Sequence, residues 1–405
     1  MEKEFIKEIE SSVTLNVTAG KIDSFRQLEK TTGTVRVYED GFIGIAGCLG
    51  EPDEKELTEK AVEALAFKIP YPCELEGPLE REELHEEEII PVPDFIPTMQ
   101  ALLDRVAELC PRYAISNKIR LSYNRTEYQN SKGRRLVSSG RKLSIELIAQ
   151  SRGSGNLFDT GLFWEGDQYD EEMLLKEWKK EYDAFYTPAD IEPGRYPVVC
   201  DAANVVMHYL RHFVGDLYVA GASLLSGKLG SKVFSEKLTV KDDMDPSTAH
   251  GGCFFDAEGC IAPDLRPSYV ENGVLKGLLT TKKTSKLYGL PNLGTASAAY
   301  DGVPDLGFHN LYVEPTAKSL KELVPGKAIF MGIASGGDAT PEGHFATPVQ
   351  MAFLMEDGEM VGRLPDINVS GDFFKLLGED YLGTVHDEPV KGFTLSAFLM
   401  DVDKA

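Results

Sequence analysis

Apolar and polar positions along this chain alternate in two different periods, and the switches between them outline its elements. Val35, Val37 and Tyr38 lead into Glu39-Asp40-Gly41, and Phe42, Ile43 and Ile45 lead out. An Asp-Gly step between such runs predicts a β-hairpin, because glycine accepts positive φ without steric cost. Residues 14–50 therefore read as strands. Past Pro52-Asp53 the period lengthens: Leu57, Ala61, Val62 and Leu65 share one face of a helix that ends before Pro70. Residues 74–93 are acidic and flanked by prolines, the pattern of a solvated linker.

A second helix is predicted over Pro97–Cys110, with Met99, Leu102, Leu103, Val106 and Leu109 at helical spacing. Ile119–Ser151 reads as a β-meander broken at Asn130–Gly133 and at Gly140. Glu171–Phe185 is a third helix, with Met173, Leu174, Trp178, Tyr182 and Phe185 facing inward. Pro188 and Ile191-Glu192-Pro193-Gly194 mark a boundary. Beyond it come a strand over Tyr196–Cys200, a helix from about Ala202 to Val214 with Asp201 as its N-cap, and mostly β sequence. Asp256–Gly259, Glu271-Asn272-Gly273, Asp357-Gly358 and Ser370-Gly371 punctuate that last part as turns. The expected fold class is α+β with two domains. Residues 1–190 form a mixed α/β-meander domain, and 191–405 a larger, mainly antiparallel β domain carrying the 202–214 helix.

Charge narrows the function. Lys+Arg total 42 against 65 Asp+Glu, a formal net charge of -23, which repels phosphate backbones and anionic lipid alike. Neither direct nucleic-acid binding nor membrane association is expected. The N-terminus lacks a basic segment followed by an apolar run, and no stretch is long and apolar enough to span a bilayer, so a cytoplasmic location is expected. The six cysteines are scattered and read as buried thiols; the gap between Cys253 and Cys260 fits no zinc-finger spacing.

The sharpest chemical signal is Met-His-Tyr-Leu-Arg-His at Met207–His212. On an α-helix, residues four apart differ by roughly 40° around the axis, so His208 and His212 could face one metal ion. The glutamate that would serve a zinc peptidase as general base is absent; Tyr209 follows His208 instead. Two imidazoles need a third ligand, and Asp216, Asp242 and His344 are unranked candidates. No serine-nucleophile elbow, dinucleotide fingerprint or P-loop is present. Gly336-Gly337-Asp338 reads as a close backbone approach, in a bend or to a bound peptide. Asp242-Asp243 reads as surface or turn.

Several stretches, in order, resemble the TldD/PmbA family, often named modulator of DNA gyrase. They are Gly227-Lys-Leu-Gly-Ser-Lys-Val233, Leu238-Thr-Val-Lys-Asp-Asp243, Phe255-Asp-Ala-Glu-Gly259, Val270-Glu-Asn-Gly-Val-Leu-Lys-Gly277, Asn310-Leu-Tyr-Val, Gly336-Gly337, Gly343-His-Phe345, Asp357-Gly-Glu and Val369-Ser-Gly-Asp372. The region around Val35–Gly47 is also similar. The resemblance implies a zinc peptidase of paired subunits, in which the active type carries H-E-x-x-x-H and a C-terminal cysteine ligand. This chain departs from the active type. Aligned on His212, Met207 and His208 fall where the His-Glu pair belongs; aligned on Gly215-Asp216, Val206 and Met207 do. No cysteine follows Cys260, and Leu293–Ala298 lacks the active type's arginines. The chain thus resembles the non-catalytic PmbA/TldE type. That resemblance implies no catalytic or metal-binding residue and no cofactor in this chain, zinc belonging to a TldD-type partner. It implies a hetero- or homodimer acting in proteolysis of unfolded peptides, with His208, His212, Gly336, Gly337 and Phe345 as peptide contacts by family position. A self-sufficient metallopeptidase rebuilt on His208 and His212, and a peptide-binding scaffold homodimer, stand as alternatives.

Overall fold

A computed structural model describes residues 1–248, 251–386 and 394–405. The fold is α+β and mainly antiparallel β. The first sheet begins at the second residue, well before residue 14. β1 (Glu2–Thr18) and β2 (Lys21–Glu39) form a long hairpin, followed by β3 (Phe42–Leu49). Asp40 and Gly41 both take positive φ (51° and 81°), as the Asp-Gly signal requires. Asn272-Gly273 and Asp357-Gly358 repeat that turn at 47° and 77°, and at 49° and 85°.

β4 (Ile69–Pro70), β5 (Leu79–Leu84), β6 (Tyr113–Asn130), β7 (Arg134–Ser151) and β8 (Thr160–Gly166) complete the sheet. Its order is β4-β3-β2-β1-β6-β7-β5, with β8 also on β7. The acidic 74–93 stretch is more than a linker: β5 pairs in parallel with β7, from Leu79↔Arg134 to Leu84↔Ser139. Its charged residues suit a sheet edge, where like-charged side chains discourage further pairing. Gly140 interrupts nothing and lies inside β7, while Asn130–Gly133 does form the turn.

α1 (Glu54–Ala64) is capped by Asp53, whose carboxylate accepts from the N–H groups of Lys55 and Glu56. Leu57 and Ala61 are buried beneath it, but Val62 is exposed, so the apolar face is narrower than the sequence pattern. α2 (Val92–Leu109) starts five residues ahead of expectation and carries Pro97 inside it. Phe95 and Met99, both fully buried, anchor the turns on either side of that proline. α3 (Glu171–Phe185) matches its predicted span, with Asp170 as N-cap. α2 and α3 join the first sheet in a core that includes Leu103, Ile145, Trp164 and Trp178.

The second half is built around a closed ring of strands. β9 (Gly194–Asp201), β14 (Lys327–Ala334), β16 (His344–Glu356), β18 (Ile367–Asp372) and β20 (Leu395–Lys404) pair in the order β14-β9-β20-β18-β16, and β16 pairs back to β14. Ring closure removes the exposed edges an open sheet would present. Ser370-Gly371 is therefore strand rather than turn: it lies in β18, opposite β16 and β20. β15 (Asp338–Ala339), β17 (Glu359–Arg363) and β19 (Tyr381–Val385) append to the ring. A separate four-stranded sheet holds β10 (Val240–Asp242), β11 (Ser268–Glu271), β12 (Val274–Leu275) and β13 (Leu311–Val313).

Candidate functional site

The 202–214 segment does not form one α-helix. α4 (Ala203–Val206) gives way to a 3-10 helix over Met207–Phe213, the chain extends at Val214 (ψ 122°), and α5 (Gly215–Val219) follows. Asp201 still caps the start, accepting the Ala203 N–H at 2.9 Å. A 3-10 helix has 3.0 residues per turn, so residues four apart point about 120° away from each other. The spacing that suits a metal on an α-helix here sends His208 and His212 to different sides. A seven-residue 3-10 run is long for its type, and tertiary contacts accompany it. The Tyr209 hydroxyl donates to Gly343 O at 3.2 Å, and the Ser223 hydroxyl donates to His212 O at 2.6 Å.

His212 is 2% exposed, its ring 5.5 Å from that of Phe373. Its Nδ1 accepts the Leu224 N–H at 3.3 Å, which puts the proton of the neutral ring on Nε2. Burial, helped by the charge of Arg211, holds its pKa below the ordinary histidine value. His208, half-buried, packs 5.1 Å from the ring of Phe345. Phe345 itself is fully buried in β16, opposite Ala339 of β15. Gly336 is exposed with φ +82°, and Gly337 lies against Thr347 so closely that a Cβ would stand 2.2 Å from the Thr347 Cβ. The structure thus brings His208, Phe345 and the Gly336-Gly337 bend to the neighbourhood of the 3-10 helix. It turns His212 into the aromatic core instead.

These residues do not fit a zinc ion. The imidazoles diverge, one has its Nδ1 engaged, and no cluster of three or more His, Cys, Asp or Glu suited to a metal occurs among the described residues. Of the candidate third ligands, His344 is exposed on β16, and the two aspartates have partners of their own. Asp216 accepts the Tyr288 hydroxyl at 2.7 Å, and Asp242 belongs to a separate arrangement.

That arrangement is legible only in three dimensions. β10 pairs with β13, Asp242 opposite Leu311, which carries the preceding residues His309 and Asn310 past the Asp242 carboxylate. Asp242 is fully buried and accepts the N–H of His309 (3.0 Å to each oxygen) and of Asn310 (2.7 Å), together with His309 Nδ1 (3.0 Å). Its neighbour Asp243 is also buried, held by Arg266 at 3.1 Å and by the Thr248 hydroxyl at 3.0 Å. The reading of Asp242-Asp243 as a surface or turn pair is therefore corrected. Burial lowers the His309 pKa, but the hydrogen bond and charge of Asp242, with Asp256 behind it, outweigh that effect and raise it overall. No linear signal marks the pair, because 67 positions separate the two residues.

His309 lines a cavity of about 180 Å³ between β1, β2 and β6 on one side and the 253–257 and 296–300 segments on the other. A second cavity of about 390 Å³ adjoins it, sharing Thr126 and Cys253, and is lined by polar groups including His85, Asn124, Ser138 and Ser139. Together they make a groove of mixed polar and apolar lining across the face of the first sheet. A buried ionic lattice crosses beneath it. Glu4, 1% exposed, accepts from Arg36 Nη1 at 2.9 Å, the Tyr38 hydroxyl at 2.8 Å and the Tyr128 hydroxyl at 2.9 Å. Glu258 accepts the Tyr71 hydroxyl at 2.6 Å and the Lys282 N–H at 2.8 Å. Burial first, and the charge of Asp256 second, push Glu258 up to about 7.

The matched sequence agrees with this architecture. Residues 193–391 match the PmbA/TldA metallopeptidase C-terminal domain. These residues belong to the PmbA/TldD family. A metalloprotease of Methanothermobacter thermautotrophicus is 30% identical over 264 residues, 62% of this chain and 58% of that protein. The match thus spans little more than half of that relative. A metalloprotease of Archaeoglobus fulgidus is 25% identical over 93% of this chain and 91% of its own length. The crystal structure of TldE from Thermococcus kodakarensis superposes with a TM-score of 0.84 at 20% identity, covering 100% of this chain and 97% of that one. The whole chain therefore shares the fold of that TldE structure.

Proposed function

We propose that this chain is a non-catalytic, peptide-holding subunit of a TldD/TldE-type zinc metallopeptidase, pairing with a TldD-type chain that supplies the zinc. The observation that carries the reading is the 3-10 helix at Met207–Phe213, which separates the two histidines at the family's zinc-helix position and commits His212 to the core. The same observation counts against a self-sufficient peptidase built on His208 and His212. The groove over the first sheet supports a holding role, since hydroxyl and amide groups such as Ser138, Ser139 and Asn124 among its apolar walls suit the main chain of an extended peptide. Of the contacts expected by family position, His208, Gly336 and Gly337 keep exposed or half-exposed surface and are the better peptide contacts; Phe345 and His212 support them from the core.

The test is to mix the purified chain with a TldD-type protein from the same source, follow complex formation on a sizing column and measure cleavage of an unfolded peptide. A heterodimer that cleaves faster than the partner alone is expected. Equal rates with no complex would remove the proposal. Stoichiometric zinc in this chain alone, with peptidase activity lost in His208→Ala, would establish the self-sufficient alternative.

A further inference from the structure

We propose that the 180 Å³ cavity beside His309 is a carboxylate-binding pocket, in which Arg36 and His309 clamp an acidic group of a bound peptide. The inference rests on the peptide-holding role above and names the chemistry recognised at one end of the groove.

The hydrogen-bond inventory of the cavity wall is lopsided. Arg36 is 2% exposed; its Nη1 donates to Glu4 at 2.9 Å and to Ala257 O at 2.6 Å, while its Nε–H is buried with no partner. A buried donor left unmade is rare and costly, and it calls for an acceptor. His309 adds a second group. Asp242 holds the ring through Nδ1, so that nitrogen carries a proton and Nε2 is left for the cavity.

The other polar groups of the same wall have partners of their own. The Asp256 carboxylate takes the N–H groups of Glu258 at 2.9 Å, Cys260 at 2.8 Å and Ala296 at 3.1 Å. The Thr34 hydroxyl donates to Tyr300 O, and that of Ser297 donates to Leu306 O at 3.1 Å. Glu8, exposed at the rim, accepts the Thr32 hydroxyl at 3.1 Å. None of these groups accepts from Arg36 Nε, and a carboxylate offers two oxygens, one for the guanidinium and one for His309. Charges beyond about 8–10 Å are largely screened at physiological salt, so the overall charge of -23 matters less than the lining, where Glu8 and Asp256 oppose the acid and direct hydrogen bonds from Arg36 and His309 must hold it. The volume admits a carboxyl group and its carrier residue.

The experiment titrates this chain alone, without a partner, so its failure is distinct from failure of the heterodimer. Three fluorophore-labelled tripeptides are compared by anisotropy: a free C-terminal acid, its amide, and an amide with an internal aspartate. The free acid is expected to bind at least tenfold tighter than the plain amide. Tight binding of the aspartate peptide as well assigns a side-chain carboxylate as a second source, and its absence restricts the pocket to peptide C-termini. His309→Leu should reduce acid binding to the amide's level. If that variant fails to fold, the histidine ring resonances of the unsubstituted chain are followed instead; those of His309 should shift with the acid and stay with the amide. Equal binding of acid and amide, or His309 resonances indifferent to both, overturns the proposal.

Discussion

Arg36→Met tests the buried lattice most directly, because it removes the cation and leaves the anion in place. Glu4 would retain only the two phenolic donors, Tyr38 and Tyr128, at 2.8 Å and 2.9 Å. Both ends of the ion pair are almost wholly shielded, at 3% and 1% side-chain exposure, so water cannot take over from the guanidinium. Breaking a buried pair from one side costs about 3–5 kcal/mol, mostly the penalty of the stranded charge. With an unfolding entropy of about 2.1 cal/mol/K per residue, a chain of 405 residues melting as one unit has about 0.85 kcal/mol/K, so Tm should fall by about 4–6 °C. Two controls make the reasoning strict. The stranded carboxylate can escape by taking up a proton, so the loss should be smaller at pH 5.5 than at pH 8. The double variant Glu4→Leu/Arg36→Met removes both charges and should be less destabilised than Arg36→Met alone. Differential scanning calorimetry of the three proteins at both pH values is the assay. A Tm within 1 °C of the parent in Arg36→Met, or a double variant destabilised as much as Arg36→Met or more, would refute the argument.

Other expectations follow from the same packing. Gly337→Ala forces a Cβ to 2.2 Å from the Thr347 side chain and should cost about 1–3 kcal/mol in urea unfolding; an unchanged midpoint would show that the bend yields freely. Phe373→Ala removes a fully buried ring that meets those of Tyr209 at 4.4 Å, His212 at 5.5 Å and Phe374 at 4.9 Å, and about 3–5 kcal/mol should be lost by the same measurement. Glu258 is raised from 4.5 to about 7 by burial and by Asp256, so the folded chain holds a proton that the unfolded chain has released between those values. Its contribution to stability is therefore complete below pH 4.5 and declines as pH rises through 7. Glu258→Gln should flatten that decline in unfolding experiments at pH 5 and pH 7.5, and a parallel curve for the two proteins would contradict the assignment.

Local chemistry made much of this fold legible from sequence. The Asp40-Gly41, Asn272-Gly273 and Asp357-Gly358 steps force left-handed backbone and appear as turns, and the apolar spacing from Leu174 to Phe185 gives α3 its span. What stayed hidden was decided by distant partners. The acidic Leu79–Leu84 run is a strand because β7 offers it an edge, a fact absent from its own composition. The histidine segment has helical spacing, yet contacts from Gly343 and Ser223 accompany a tighter winding that reverses what His208 and His212 can do together. The Asp242–His309 pair is invisible for the same reason, since it exists only when β10 and β13 lie side by side.

The closed ring of the second half also sets a timetable. β9 ends at Asp201, but its antiparallel neighbour β20 begins at Leu395, and β20 is an interior member of the ring between β9 and β18. Roughly 200 residues must leave the ribosome between the two, a wait of about 10–40 s at synthesis rates of about 5–20 residues per second. Throughout that interval one flank of β9, including the eventual partner positions of Val198 and Cys200, stands without its neighbour. The nascent chain therefore carries an adhesive edge, and its yield in cells should depend more on holdase chaperones and translation speed than on the stability of the finished molecule.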